Sequence, residues 1–202
     1  MPDAPLPAAR VTLAATGASG AIFTRAMLHA LEADARVAEA NFIASDNALR
    51  VMAEELSLTG RANIVEQLLA AAPKKTRLHA NADIGADIAS GSYPVHSMLV
   101  LPCSVGTLGR IANGVSGNLI ERAADVCLKE HRPLVLCVRE TPLNRIHIRN
   151  MGLAAAAGAS IYPLIPTFYN LPDSLETMAR EFCNRVLAHV GLPQPGAYVW
   201  KG

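Results

Sequence analysis

The chain has 202 residues, 51% of them hydrophobic and 17% charged, and its 18 Lys and Arg against 17 Asp and Glu leave a net charge of +1. That is enough for one well-buried domain and short for two, and scattered cations without basic blocks exclude a nucleic-acid surface. No apolar run reaches the length of a membrane span, and Met1 to Ala9 carries no secretory pattern, so a cytoplasmic protein is expected.

The four cysteines, Cys103, Cys127, Cys137 and Cys183, have no CxxC spacing. They read as reduced core residues rather than disulfides or a zinc site. His79 and His96 stand alone, so no metal is expected.

Val11 to Ala15 is an apolar run without polar alternation, as in a strand of a parallel sheet covered on both faces. The turn Thr16-Gly17-Ala18-Ser19-Gly20-Ala21 follows, and Phe23, Met27, Leu28 and Leu31 then recur at helical spacing. A helix start behind a glycine turn is a ready anion site. The turn is neither GxGxxG nor a P-loop, so one phosphate, as on a flavin mononucleotide, suits it better than a pyrophosphate. A glycine turn that merely closes a βα unit accounts for the same residues equally well.

Val37 to Ala44 reads as the second strand, and Ser45 as the cap of a helix over Ala48 to Leu56 that carries Glu55. Ile64 to Ala71 predicts a helix, Thr76 to His79 a short strand, and Asp83 to Ala89 a helical turn before the small-residue loop Ser90-Gly91-Ser92. Ser97 to Leu101 is a buried strand that delivers Ser104 and Thr107 to the start of another helix. Turns of this kind collect at the carboxyl edge of an open α/β sheet, where ligands bind.

Gly117 to His131 predicts a helix on which Arg122 and Lys129, one heptad apart, share a face. Pro133 to Val138 is an apolar strand running straight into Arg139-Glu140, a costly place for charge without partners. An alanine-rich helix over Ile146 to Gly158 and a strand over Ser160 to Leu164 follow. Pro163 to Pro172 is a stiff loop with Phe168-Tyr169 at its centre. Asp173, with Glu176 three residues on, predicts a capping box for a last helix bearing Arg185. The tail carries the sole tryptophan, Trp200. The expected layout is an extended segment over 1–9, one Rossmann-like or flavodoxin-like α/β domain with a mostly parallel sheet over 10–190, and a tail over 191–202 docked on an oligomer.

TGASGA at Thr16 to Ala21, SGS at Ser90 to Ser92, PCSVGTL at Pro102 to Leu108, NLIERAADVCLKEHRPLVLCVRETPL at Asn118 to Leu143 and PTFYNLP at Pro166 to Pro172 together resemble the UbiX-type flavin prenyltransferases. The resemblance implies a dodecameric assembly with shared active sites and transfer of a dimethylallyl group from dimethylallyl phosphate to N5 and C6 of reduced FMN. The prenylated FMN then serves a UbiD-type decarboxylase, in ubiquinone synthesis or in aromatic-acid decarboxylation. It further implies FMN contacts from Gly17, Ala18, Ser19, Ser45, Ser104, Val105, Gly106, Thr107 and Arg139. By the same resemblance Arg122, Lys129, Tyr169 and Arg185 surround the prenyl phosphate, with Ser90, Gly91 and Trp200 beside it. The resemblance adds Glu140 to that set, a candidate with the released phosphate for the later proton transfers, and places Glu55 nearby.

The segment Ser57 to Asp87 departs from the family pattern, as does Phe23-Thr24 after the glycine turn. Two other readings compete. An FMN-dependent cysteine decarboxylase shares the fold but carries a PASANT-like segment where this chain has PCSVGT. A flavin carrier would not need the cationic set.

Overall fold

The computed structural model describes residues 8–58 and 63–198. Its six strands are β1 (Ala9–Ala15), β2 (Val37–Ala44), β3 (Thr76–Ala80), β4 (Ser97–Cys103), β5 (Leu134–Val138) and β6 (Ser160–Ile161), in the spatial order β3-β2-β1-β4-β5-β6. Every neighbouring pair is parallel. Parallel pairing requires crossovers, which here are the helices α1 (Ala21–Ala33), α2 (Asp46–Leu56), α3 (Ile64–Leu69), α4 (Val105–Ala112), α5 (Leu119–Lys129) and α6 (Arg145–Ala156), while α7 (Leu175–His189) closes the chain.

The inner strands β1, β4 and β5 are largely apolar because both their faces are covered, whereas the edge strand β3 is mostly exposed. On one face Leu13, Phe42 and Leu99 pack under Met27 and Leu28 of α1 and Val186 and Leu187 of α7. On the other, Ile43, Val100 and Leu136 meet Leu108 of α4, Ala123 of α5 and Ala154 of α6. The result is three layers, helices on both sides of one sheet. Phe182 of α7 sits edge-on to Phe23 at 5.2 Å and to Tyr162 at 5.5 Å between ring centroids, joining α1, α7 and the segment after β6.

The expected element types hold, with shifted limits. β1 begins at Ala9, where the N–H donates to Arg36 O, ahead of the apolar run. The helix expected from Gly117 starts at Leu119, because the Asn118 side chain accepts from Glu121 N and caps it. The box expected at Asp173 is wrong by one residue. Ser174 is the cap, its Oγ accepting from Thr177 N at 3.1 Å, while Asp173 accepts from the side chains of Thr177 and Ser174. Regular strand β6 covers only Ser160–Ile161, but Tyr162 N and Leu164 N, on either side of Pro163, still donate to Leu136 O and Val138 O of β5.

All four cysteines are buried and free, and burial pushes the Cys103 and Cys127 thiols up to about 12. They are packing residues, not nucleophiles at neutral pH. His79 is also spent on structure, its Nε2 lying 2.7 Å from Asn41 Oδ1. Among the described residues no helix is long and apolar enough to cross a membrane.

Phe182→Ala should destabilise the fold by about 3–5 kcal/mol, as large core truncations do. Urea denaturation followed by circular dichroism reads this as a fall in the midpoint with an unchanged slope.

Candidate active site

In this strand order the chain reverses direction between β1 and β4, so a crevice opens at their carboxyl ends. One side chain joins the two turns that flank it. Thr16, buried, donates its hydroxyl to Pro102 O at 2.9 Å and accepts from Ser104 N at 2.7 Å. Ser104 then caps α4, its Oγ accepting from Thr107 N at 3.3 Å and donating to Thr107 Oγ1 at 3.2 Å. On the far side of β1, Ser45 caps α2 by accepting from Ala48 N at 3.1 Å. Arg139 follows β5, its N–H donating to Cys103 O. The turns after β1, β2, β4 and β5 therefore lie along one edge, as expected for Gly17, Ala18, Ser19, Ser45, Ser104, Val105, Gly106, Thr107 and Arg139.

Two glycines in the first turn are required by geometry. A Cβ on Gly17 would come within 2.5 Å of Asn47 Cβ, so this turn touches the start of α2. Gly20 has φ +124°, a conformation that L side chains rarely adopt, and a Cβ there would meet Leu164.

The start of α1 differs from the open anion site expected of it. Glu55 reaches across from α2 and accepts from Gly20 N at 3.0 Å and Ala21 N at 2.8 Å. Burial works to raise its pKa. Hydrogen bonds from Ser19 and from the Ala21 and Gly20 N–H groups, with the charge of Arg139, outweigh burial and hold the carboxyl below its ordinary value. Glu55 is thus a cap and a charge partner at the crevice rather than an isolated surface carboxylate. The starts of α2 and α4 are capped by the hydroxyls of Ser45 and Ser104, and the small, hydroxyl-bearing residues at Ser45 and at Ser104 to Thr107 have the chemistry that would suit a flavin phosphate.

The cations expected around a prenyl phosphate do not converge within one chain. Helix α5 starts where Leu119 N donates to Asn81 O beyond β3 and runs back toward the amino edge of the sheet, ending at Lys129. There Lys129 pairs with Glu130 at 2.5 Å and lies beside Gly91, while Arg132 holds Gly91 O at 2.6 Å. Arg122, also on α5, donates to Ala89 O and pairs with Asp125 at 2.8 Å. Arg185 is on α7, across the sheet from α5. Its charge acts on Tyr162, as does that of Tyr169, so these three are neighbours. Tyr169 packs against Tyr198 with ring centroids 5.4 Å apart and the rings tilted by 49°, and Glu140 is exposed beside Arg139, its carboxylate accepting from Thr141 N. Trp200 lies outside the described residues.

Sequence reasoning gave Thr16 no role of its own, although a Thr closing a buried strand before a glycine turn is the usual place for such a bridge. It also missed Asn47 and Tyr198, whose partners are distant in sequence. Among the described residues no group of three or more His, Cys, Asp or Glu is placed to hold a metal ion.

The model of the Flavoprotein family matches residues 3–177. Flavin prenyltransferase UbiX of Salmonella typhimurium is 42% identical over 186 residues, covering 92% of this chain and 94% of the relative. The structure of AnUbiX (PadA1) in complex with FMN and dimethylallyl pyrophosphate superposes with a TM-score of 0.85 at 36% identity, covering 96% of this chain and 98% of the other. A dodecameric FMN-dependent UbiX-like decarboxylase from Escherichia coli O157:H7 gives 0.84 at 37% identity, with 96% and 100% covered. The cysteine decarboxylase TvaF shares the fold alone, at TM-score 0.55 and 15% identity. With its four edge turns in the arrangement described and this likeness along nearly its whole length, the chain belongs to the flavoprotein family and, within it, to the UbiX-type flavin prenyltransferases.

Proposed function

We propose that this protein joins a dimethylallyl group from dimethylallyl phosphate to N5 and C6 of reduced FMN, at a site completed by neighbouring copies of the chain in a dodecamer. The observation that carries this reading is the gathering of the small and hydroxyl-bearing turns, with Arg139, at the β1/β4 crevice. Reduced FMN, the acceptor substrate, supplies the electron-rich nitrogen and carbon that the prenyl group joins. The chain's residues bind, orient and manage charge. Ser45, Ser104 and Thr107 hold the flavin, while Glu55 fixes the start of α1 against it.

Lys129, Arg122, Tyr169 and Arg185 bind the phosphate of the donor. Their charge-assisted hydrogen bonds stabilise the negative charge that builds on oxygen as its bond to carbon breaks. Because α5 and α7 cover opposite faces of the sheet, one chain cannot bring Lys129 and Arg185 to the same phosphate. A second copy supplies one of them. Glu140, exposed at the crevice, accepts and returns the protons displaced as the new ring closes. The product goes to a UbiD-type decarboxylase, in the cytoplasm.

Anaerobic incubation with reduced FMN and dimethylallyl phosphate, followed by mass analysis of the flavin, should reveal a flavin heavier by one five-carbon unit. Unmodified flavin would remove the transferase reading. Lys129→Ala should lower kcat/KM by about 10²–10³, the usual cost of losing one donor to a developing oxyanion.

Co-expressing Lys129→Ala with Arg185→Ala chains tests the shared site directly. Each variant alone should be nearly inactive, and mixed assemblies should regain roughly a quarter of the activity by random assortment in a symmetric oligomer. No recovery would place both cations in one chain's site.

Glu55→Gln should cost about 1 kcal/mol at neutral pH, the usual worth of a helix cap. The native carboxyl lies below its ordinary value of 4.5, so its contribution is complete above that pH and fades as acid protonates the folded form. Thermal melts across the acid range should show the gap between Glu55→Gln and the parent closing as pH falls.

A further inference from the structure

The segment that follows α7 turns back and is tied to the fold at two places. The first tie is to the connection between α1 and β2. Leu192, buried, donates its N–H to Leu187 O at 2.8 Å, and the residues after it are held from outside α7. Arg36 Nη2 donates to Pro193 O at 2.9 Å, and Gln194 Nε2 donates to Asp34 Oδ2 at 2.9 Å. The second tie is on α7 itself, where Tyr198 N donates to Glu181 Oε2 at 3.3 Å. Glu181 stands four residues before Arg185 on the same helix, so the two share a face, and this tie brings the segment to the side of α7 that carries Arg185.

The outcome is a contact between rings from two segments. Tyr198 meets Tyr169 with centroids 5.4 Å apart and planes tilted by 49°, within the range of favourable aromatic pairs. Tyr169 stands on the loop between β6 and α7 and is 54% exposed. A half-exposed phenol on a loop has several rotamers open to it, and fixing one of them when a ligand binds costs entropy. A ring already packed on one side bears less of that cost.

We propose that Tyr198 is a positioning residue for the prenyl donor, its ring bracing Tyr169 in the orientation that meets the donor phosphate beside Arg185. The inference rests on the reading of Tyr169 and Arg185 as phosphate ligands and adds to it a task for the segment after α7. Tyr198 acts through Tyr169 and not on the donor. The contact is ring to ring, so a phenylalanine serves as well as the tyrosine.

The test titrates dimethylallyl phosphate into the intact assembly loaded with oxidised FMN, with binding read by calorimetry. Tyr198→Ala should weaken binding by about two- to tenfold, the range of one aromatic pair, and Tyr198→Phe should match the parent. Flavin affinity and the thermal midpoint of Tyr198→Ala should stay at the parental values. With reduced FMN, the same variant should raise KM for the donor and leave kcat nearly unchanged. Equal donor affinity in Tyr198→Ala, a loss shared by Tyr198→Phe, or a loss that flavin affinity follows overturns the proposal. A parent that binds the donor yet never yields a heavier flavin overturns the prenyl-transfer reading instead, and the binding comparison still decides the role of Tyr198. A parent that does not bind the donor overturns both.

Discussion

The hydroxyl of Thr16 is bonded on both sides of the β1/β4 reversal, to a carbonyl before the second turn and to an N–H within it. Parallel strands are connected only through distant helices, so nothing in the sequence neighbourhood of either turn would keep them in register. The β1/β4 ladder and the bond from the Thr16 N–H to Pro102 O set that register, and the buried hydroxyl extends it into the second turn. Its two short bonds hold the helix starts of α1 and α4 at a fixed separation, and every group facing the crevice is placed relative to those starts. Replacing that hydroxyl with a methyl would leave the part-buried Ser104 N–H without this partner, while Pro102 O would keep the bond from Thr16 N.

Much of this architecture was legible in the chain. The apolar strands, the glycine turn and the hydroxyls at strand ends follow from periodicity and turn chemistry, which depend on neighbours in sequence. Ser45 and Ser104 were readable as caps because a cap is a local event, and the misplaced cap at Asp173 shows the limit of such reading. Asp173 and Ser174 are both good caps, and which of them wins is set by where the preceding proline loop leaves the backbone.

What sequence could not supply was pairing over distance. Glu55 lies on a different helix from the N–H groups it accepts, so its place on the helix start expected to receive a phosphate appears only in three dimensions. The same holds for the cations. Arg122 and Lys129 share a helix, and that much was visible in their heptad spacing. That a covered sheet stands between them and Arg185 depends on the strand order, which no local pattern encodes.

The sheet that divides Lys129 from Arg185 has a consequence for how the protein is switched on. If the donor phosphate is gripped by residues from more than one copy, a lone chain can be fully folded and still have no complete reaction centre. Catalytic competence is then a property acquired at assembly rather than at folding. Newly made or diluted chains would be silent toward the allylic donor without any inhibitor, because half of the machinery faces away from the half it serves.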